Sequence, residues 1–144
     1  MLKIGIDLGG TNIAAGIVNE NGKIVCKKSV LTGAERWYEE IVNDIVSLCH
    51  ILCTEAKTDI KDIATVGIAV PGGVDEKTGE VIFTPNVPFT GINLSKVLSE
   101  KMHGATVKVM NDANAATLAE VLAGAATDAN NAVMITLGTG VGGG

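Results

Sequence analysis

Aromatic side chains are nearly missing from this chain, at 3% of 144 residues. Surfaces that stack nucleic-acid bases depend on them, so that class of partner is disfavoured. Basic clusters are missing as well. The net charge is −5 and the only adjacent basic pair is Lys27-Lys28, which argues against nucleic acid and against anionic membrane surfaces. No apolar run approaches the ~20 residues that span a bilayer. The N-terminus has neither the basic start nor the long apolar stretch of a secretory signal, so the expected compartment is the cytoplasm. Cysteines number three, Cys26, Cys49 and Cys53, an odd set without the spacing of a disulfide framework. Cys49, His50 and Cys53 make a poor metal site, because on a helix His50 points about 100° away from Cys49. The expectation is reduced, inert thiols, with Cys49 and Cys53 on a buried helix face.

What remains is 47% apolar and 19% charged, ordinary for one domain with a proper core. Lys3 to Asp7 reads as a buried strand, Asn12 to Val18 as a second, and Lys23 to Val30 as a third after the turn at Asn19-Glu20-Asn21-Gly22. From Ala34 to about Ala56 the period becomes helical. Trp37, Ile41, Ile45, Leu48 and Leu52 form the stripe, widened by Tyr38, Val42, Cys49 and Cys53. Thr58 to Asp62 reads as a loop, Thr65 to Val70 as a strand, and Glu80 to Phe83 as a short strand after a turn at 76–79. Asn93 caps a helix from Leu94 to His103, closed by Gly104. Ala105 to Met110 is a strand, Ala113 to Ala126 a helix and Ala132 to Leu137 a last strand. Strands alternating with helices imply parallel crossovers and a sheet covered on both faces.

Four constellations carry chemistry. In Asp7-Leu8-Gly9-Gly10-Thr11-Asn12, two glycines let backbone N–H groups approach a bulky anion and let the turn reach positive φ. Asp7 beside such a nest makes sense with a divalent cation between carboxylate and phosphate; a plain hairpin turn is the alternative. Gly138-Thr139-Gly140-Val141-Gly142-Gly143-Gly144 places five glycines in seven positions after a strand, suited to nucleotide phosphates. It matches neither Walker A nor the dinucleotide-binding fingerprint. Asn111-Asp112 ends a strand and opens a helix. Asp112 reads there as an N-cap, or as a base that accepts the proton of a substrate hydroxyl during phosphoryl transfer, while Asn111 suits a polyol. Pro85-Asn86-Val87-Pro88 stiffens a loop around one amide, either a sugar contact or a plain connector. Pro71-Gly72-Gly73 is either a close backbone approach to a ligand or a turn.

Taken together, these residues resemble the ROK family, especially its glucokinase-like sugar kinases. The match runs through Gly5 to Asn12, Gly67-Ile68-Ala69-Val70-Pro71-Gly72, Thr84-Pro85-Asn86, Asn111-Asp112-Ala113-Asn114-Ala115-Ala116 and Gly138 to Gly144. The resemblance implies an α/β, actin-like ATPase or ribonuclease H-like fold. Three antiparallel N-terminal strands in a mixed sheet would be followed by βα crossovers. It implies phosphorylation of a hexose by ATP with Mg²⁺. Asp7 would act near the metal, Gly9, Gly10 and Thr11 would form the first phosphate loop, and Gly138, Thr139, Gly140 and Gly142 the second. Asp112 would be the general base. Asn86, Asn111 and Asp112 would bind the sugar, with backbone at Gly72 and Gly73 nearby.

Residues 1–144 are expected to be the N-terminal lobe of a longer two-lobe protein, because the last strand lacks a partner arm. The rest of the sugar pocket and a structural zinc cluster would lie in the other half. With Asp7 so near the start there is no room for the DNA-binding segment of the family's repressors, which favours the kinase branch. Two alternatives stand beside it, a non-catalytic ATPase-fold module and a sugar-sensing regulator. The expected partners are a small-molecule sugar and ATP, with self-association through exposed apolar surface and no nucleic acid or membrane.

Overall fold

The computed structural model describes residues 1–137 and 141–144. Three strands open the chain: β1 (Lys3–Leu8), β2 (Asn12–Val18) and β3 (Ile24–Leu31). They pair antiparallel in sequence order, with Asp7 opposite Ala14 and Gly5 opposite Gly16. The helix α1 (Tyr38–Glu55) follows, then a single 3₁₀ turn at Ile60–Asp62 inside the segment expected to be a loop, then β4 (Thr65–Val70). β4 returns parallel to β1. A small antiparallel sheet comes next, made of β5 (Gly73–Asp75), β6 (Glu80–Phe83) and β7 (Ile92–Asn93). The helix α2 (Leu94–Lys101) leads to β8 (Thr106–Asn111), which lies parallel to β4. The main sheet therefore has the order β3-β2-β1-β4-β8. The chain continues with α3 (Asp112–Ala123) and the short antiparallel pair β9 (Ile135–Leu137) and β10 (Val141–Gly143).

α1 begins later than its periodicity predicts. Gly33 sits at φ +58, and Arg36 N–H donates to Gly33 O at 3.0 Å, so residues 34–37 form a turn. Trp37, expected in the buried stripe, is 77% exposed and stands at the N-cap. Glu40 reaches back to accept from its backbone N–H at 3.2 Å. The remainder of the stripe holds: Ile41, Val42, Ile45, Leu48, Cys49, Leu52 and Cys53 are all buried. Each large member contributes roughly 1.5–3 kcal/mol of burial, which outweighs a helix start without a side-chain cap. The three cysteines are free thiols, and burial pushes the Cys49 thiol up to about 12, leaving it un-ionised and inert.

The core lies on one face of the main sheet. Ile4, Ile6, Leu8, Ile13, Ile17, Val66, Ile68, Val107 and Val109 point into it and meet α1 and α2. β1, expected to be a buried strand, is therefore half-buried, with alternating burial. The expectation of a sheet covered on both faces fails too. Across the opposite face, Lys27, Gly16, Gly5, Gly67 and Lys108 form one row over five strands. A Cβ at Gly5 or Gly67 would meet nothing within 4 Å. α3 covers only a corner of that face, and Ala113 is its one buried residue. The last strand does have a partner arm: β10 pairs with β9, a three-residue strand that the run of glycines hides in the sequence.

Candidate active site

The strand ends of β1, β4 and β8 bring the candidate residues together. A cleft of about 490 Å³ is lined by Gly9 and Gly10 after β1, Pro71 and Gly72 after β4, Asn111 and Asp112 after β8, the Pro85-Asn86 loop, and Thr136, Leu137, Val141, Gly142 and Gly143 from the terminal hairpin. Crevices beyond the carboxyl ends of parallel strands are where such sheets hold ligands. The opening glycine turn and the described part of the closing one thus face a single space with Asp112 between them. Gly138, Thr139 and Gly140 lie outside the described residues. Gly73 does not line the cleft; it starts β5. Thr11 does not line it either, and its carbonyl is held by Thr32. A larger cavity of about 630 Å³ lies on the bare sheet face over Gly5 and Gly16. It lacks Asp112 and both glycine turns, so the smaller cleft is the candidate site.

The glycines of the first turn act by size. Neither Gly9 nor Gly10 adopts the positive φ expected of them. A Cβ at Gly9 would lie 3.0 Å from Asn12 O, and one at Gly10 3.1 Å from Asn86 Cβ. Gly72 needs both properties, since it has φ +103 and a Cβ there would collide with Phe83 O. At Gly142 a Cβ would press on Thr136 Oγ1, at 2.5 Å, with Ala113 Cβ at 3.6 Å, so that glycine lets the hairpin close on the start of α3.

The N-cap of α3 is Asn111, whose Oδ1 accepts from Asn114 N–H at 3.0 Å; the expected cap, Asp112, is the first helical residue. This separates two roles that the sequence leaves entangled. Asn111 Nδ2 donates to Gly72 O at 2.8 Å and to Asp112 Oδ1 at 3.0 Å. Both donors are therefore used, and only a lone pair on Oδ1 remains for a ligand. Asp112 Oδ1 also accepts from Ala113 N–H at 2.8 Å. Its Oδ2 engages no donor among the described residues and is the oxygen free to take a proton.

Asp7 and Asp112 line a smaller adjoining hollow with Thr136. Loss of water and, second, the charge of Asp112 raise the Asp7 carboxyl above its usual range. Two carboxylates set against each other in this way fit a cation, which relieves both effects. Among the described residues no three metal-ligating side chains converge, so a cation here would draw its other ligands from phosphate oxygens or water.

One residue that the sequence did not single out supports the first turn. Thr32 is fully buried. Its Oγ1 donates to Gly9 O at 2.6 Å and its N–H to Thr11 O at 2.9 Å. Arg36 in turn donates to Thr32 O at 2.7 Å. A threonine at a strand end carries no pattern that would have marked it.

The profile of the ROK family matches residues 3–144. The glucokinase of Thermotoga maritima is 37% identical over 142 residues, covering 98% of this chain and 43% of that protein. The glucokinase of Streptomyces coelicolor is 38% identical over 143 residues, covering 99% and 43%. A crystal structure of a ROK family glucokinase from Streptomyces griseus in complex with glucose and AMPPNP superposes with a TM-score of 0.87 at 38% identity, covering 99% of this chain and 43% of that one. The chain thus spans about 43% of the length of the curated relatives it matches.

Proposed function

Because the chain belongs to the ROK family, with the actin-like ATPase fold of its sugar kinases, we propose that it is the N-terminal lobe of an ATP-dependent hexose kinase. The observation that carries this is the cleft itself: two glycine turns, one carboxylate with a free oxygen and one loop amide line the same space. Phosphoryl transfer asks for little beyond positioning and charge stabilisation, and these residues are suited to both.

In this reading the sugar lies against Asn86 and Asn111 with Gly72 behind it. Asp112 Oδ2 accepts the proton of the attacking hydroxyl, while Oδ1 stays engaged by Asn111 and Ala113. The Gly10 backbone faces the phosphates from one side, the Gly9 N–H being engaged by Asn12 O, and Gly142 faces them from the other. Asp7 would hold Mg²⁺ together with the phosphates, and the ion when bound would supply charge neutralisation to the phosphate oxygens. The remaining sugar contacts, and any structural zinc, belong to the portion of ROK proteins that this chain does not match. A kinase that draws on cellular ATP is placed in the cytoplasm.

Thermal unfolding of the 144-residue chain with glucose, with AMPPNP and Mg²⁺, and with both tests the proposal. Ligand at 100 times its dissociation constant stabilises by about 2.7 kcal/mol, a rise of several degrees. Stabilisation by both ligands is expected. A response to nucleotide alone would instead identify an ATPase-fold module without a sugar site. ADP release over a hexose panel is expected to be slow for this lobe. In the full-length protein Asp112→Asn should lower it by ~10²–10⁴-fold, and an unchanged rate there would remove Asp112 from the base role.

A further inference from the structure

Gly10 touches the loop that carries Asn86. A Cβ built on Gly10 has as its three nearest neighbours Asn86 Cβ at 3.1 Å, Asn86 O at 3.5 Å and Asn86 Cγ at 3.9 Å. Gly10 is not in the left-handed region, so alanine suits its backbone. The effect of a methyl there would be steric and would fall on the Asn86 contact.

The two sides of this contact are not equally free. The turn containing Gly10 is tied by Gly9 N–H to Asn12 O and by two bonds to the buried Thr32. Asn86 engages no hydrogen bond among the described residues. Its loop is anchored on either side, by Thr84 N–H to Thr90 Oγ1 and by the buried Val87 and Phe89. A methyl on Gly10 would therefore displace Asn86 by a few tenths of an ångström while the turn stays in place.

We infer that Gly10 is a positioning residue for the sugar: its missing side chain lets the phosphate turn and the Asn86 loop pack together, and so sets where the Asn86 amide points. This rests on the proposed function for the word sugar; the contact itself does not. The phosphate turn would then serve both substrates, with its backbone toward the nucleotide and its flat glycine surface toward the residue that orients the acceptor. Small misplacements of positioning groups carry large penalties, up to ~100-fold for about 1 Å, so a shift of tenths should weaken sugar binding several-fold.

The test uses Gly10→Ala in the 144-residue chain, with Gly9→Ala as the comparison. Amide NMR spectra without ligand read the contact directly. The Asn86 backbone and side-chain signals should move more in Gly10→Ala than those of Asp7 and Thr32, and more than they move in Gly9→Ala. Glucose should bind Gly10→Ala about 3–10-fold more weakly, a larger loss than AMPPNP shows and a larger one than glucose suffers in Gly9→Ala. Changes confined to residues 7–12 with Asn86 in place, or a larger loss for AMPPNP than for glucose, would overturn the inference. If the unaltered chain failed to bind glucose, that would count against the proposed function, and the Asn86 signals would still decide the contact.

Discussion

Asp112 and Asn111 show how adjacent residues divide labour. The amide caps α3 and clamps one carboxylate oxygen, which leaves the other for the proposed proton transfer. Asp7 sits in the opposite situation. Burial and a like charge raise its carboxyl above the usual value of 3.8, so the folded chain binds that proton more tightly than the unfolded one. Stability from this group is therefore greatest below the ordinary carboxylate range and is lost as pH rises through the raised value. Asp7→Asn removes the penalty. The variant should melt above the parent at pH 7, and the gain should disappear at pH values below about 3.8. Calorimetry at the two pH values checks this; an equal gain at both would show that the effect is not charge. That a proposed ligand-binding carboxylate destabilises the empty fold is the familiar opposition of activity and stability.

At the scale of elements, the first turn is supported from outside its own sequence. Thr32→Val keeps the shape and the backbone bond to Thr11 O but deletes the hydroxyl that donates to Gly9 O at 2.6 Å. The expected loss is about 1–2 kcal/mol, read by urea unfolding, together with faster amide exchange at residues 9–12. A loss below about 0.3 kcal/mol would mean that Thr32 does not hold the turn. Most elements were legible because their period survived: the stripe of α1 and the β-branched run of β4 lie where the pattern puts them. The start of α1 was not legible, since Gly33 and Arg36 build a turn that apolar spacing cannot reveal. The short strands β5, β7 and β10 were not legible either, because two or three residues carry no period. The Asn111-Asp112 pair was found as a pair, but its division of roles depends on Gly72 O, 39 residues away.

For the molecule as a whole, the uncovered surface is the main consequence. The glycine row of the main sheet is open, and Leu122, Val133, Ile135, Leu137 and Val141 are each 69–86% exposed. Apolar surface of this extent seeks a partner. The isolated chain should show a mass above 14.7 kDa by light scattering at high micromolar concentration. Leu122→Lys with Val133→Lys should return it toward the monomer mass; a parent that stays monomeric at all concentrations would refute this.

By itself the sequence determined the elements that need only local repetition or backbone chemistry: the amphipathic helix, the main strands, the glycine turns and the family they spell. Tertiary structure alone decided which groups meet. Gly10 faces Asn86, Thr32 holds Gly9, and Asn111 ties Asp112 to Gly72. None of these contacts follows from spacing, because each joins segments that only the packed sheet brings within hydrogen-bonding or van der Waals reach.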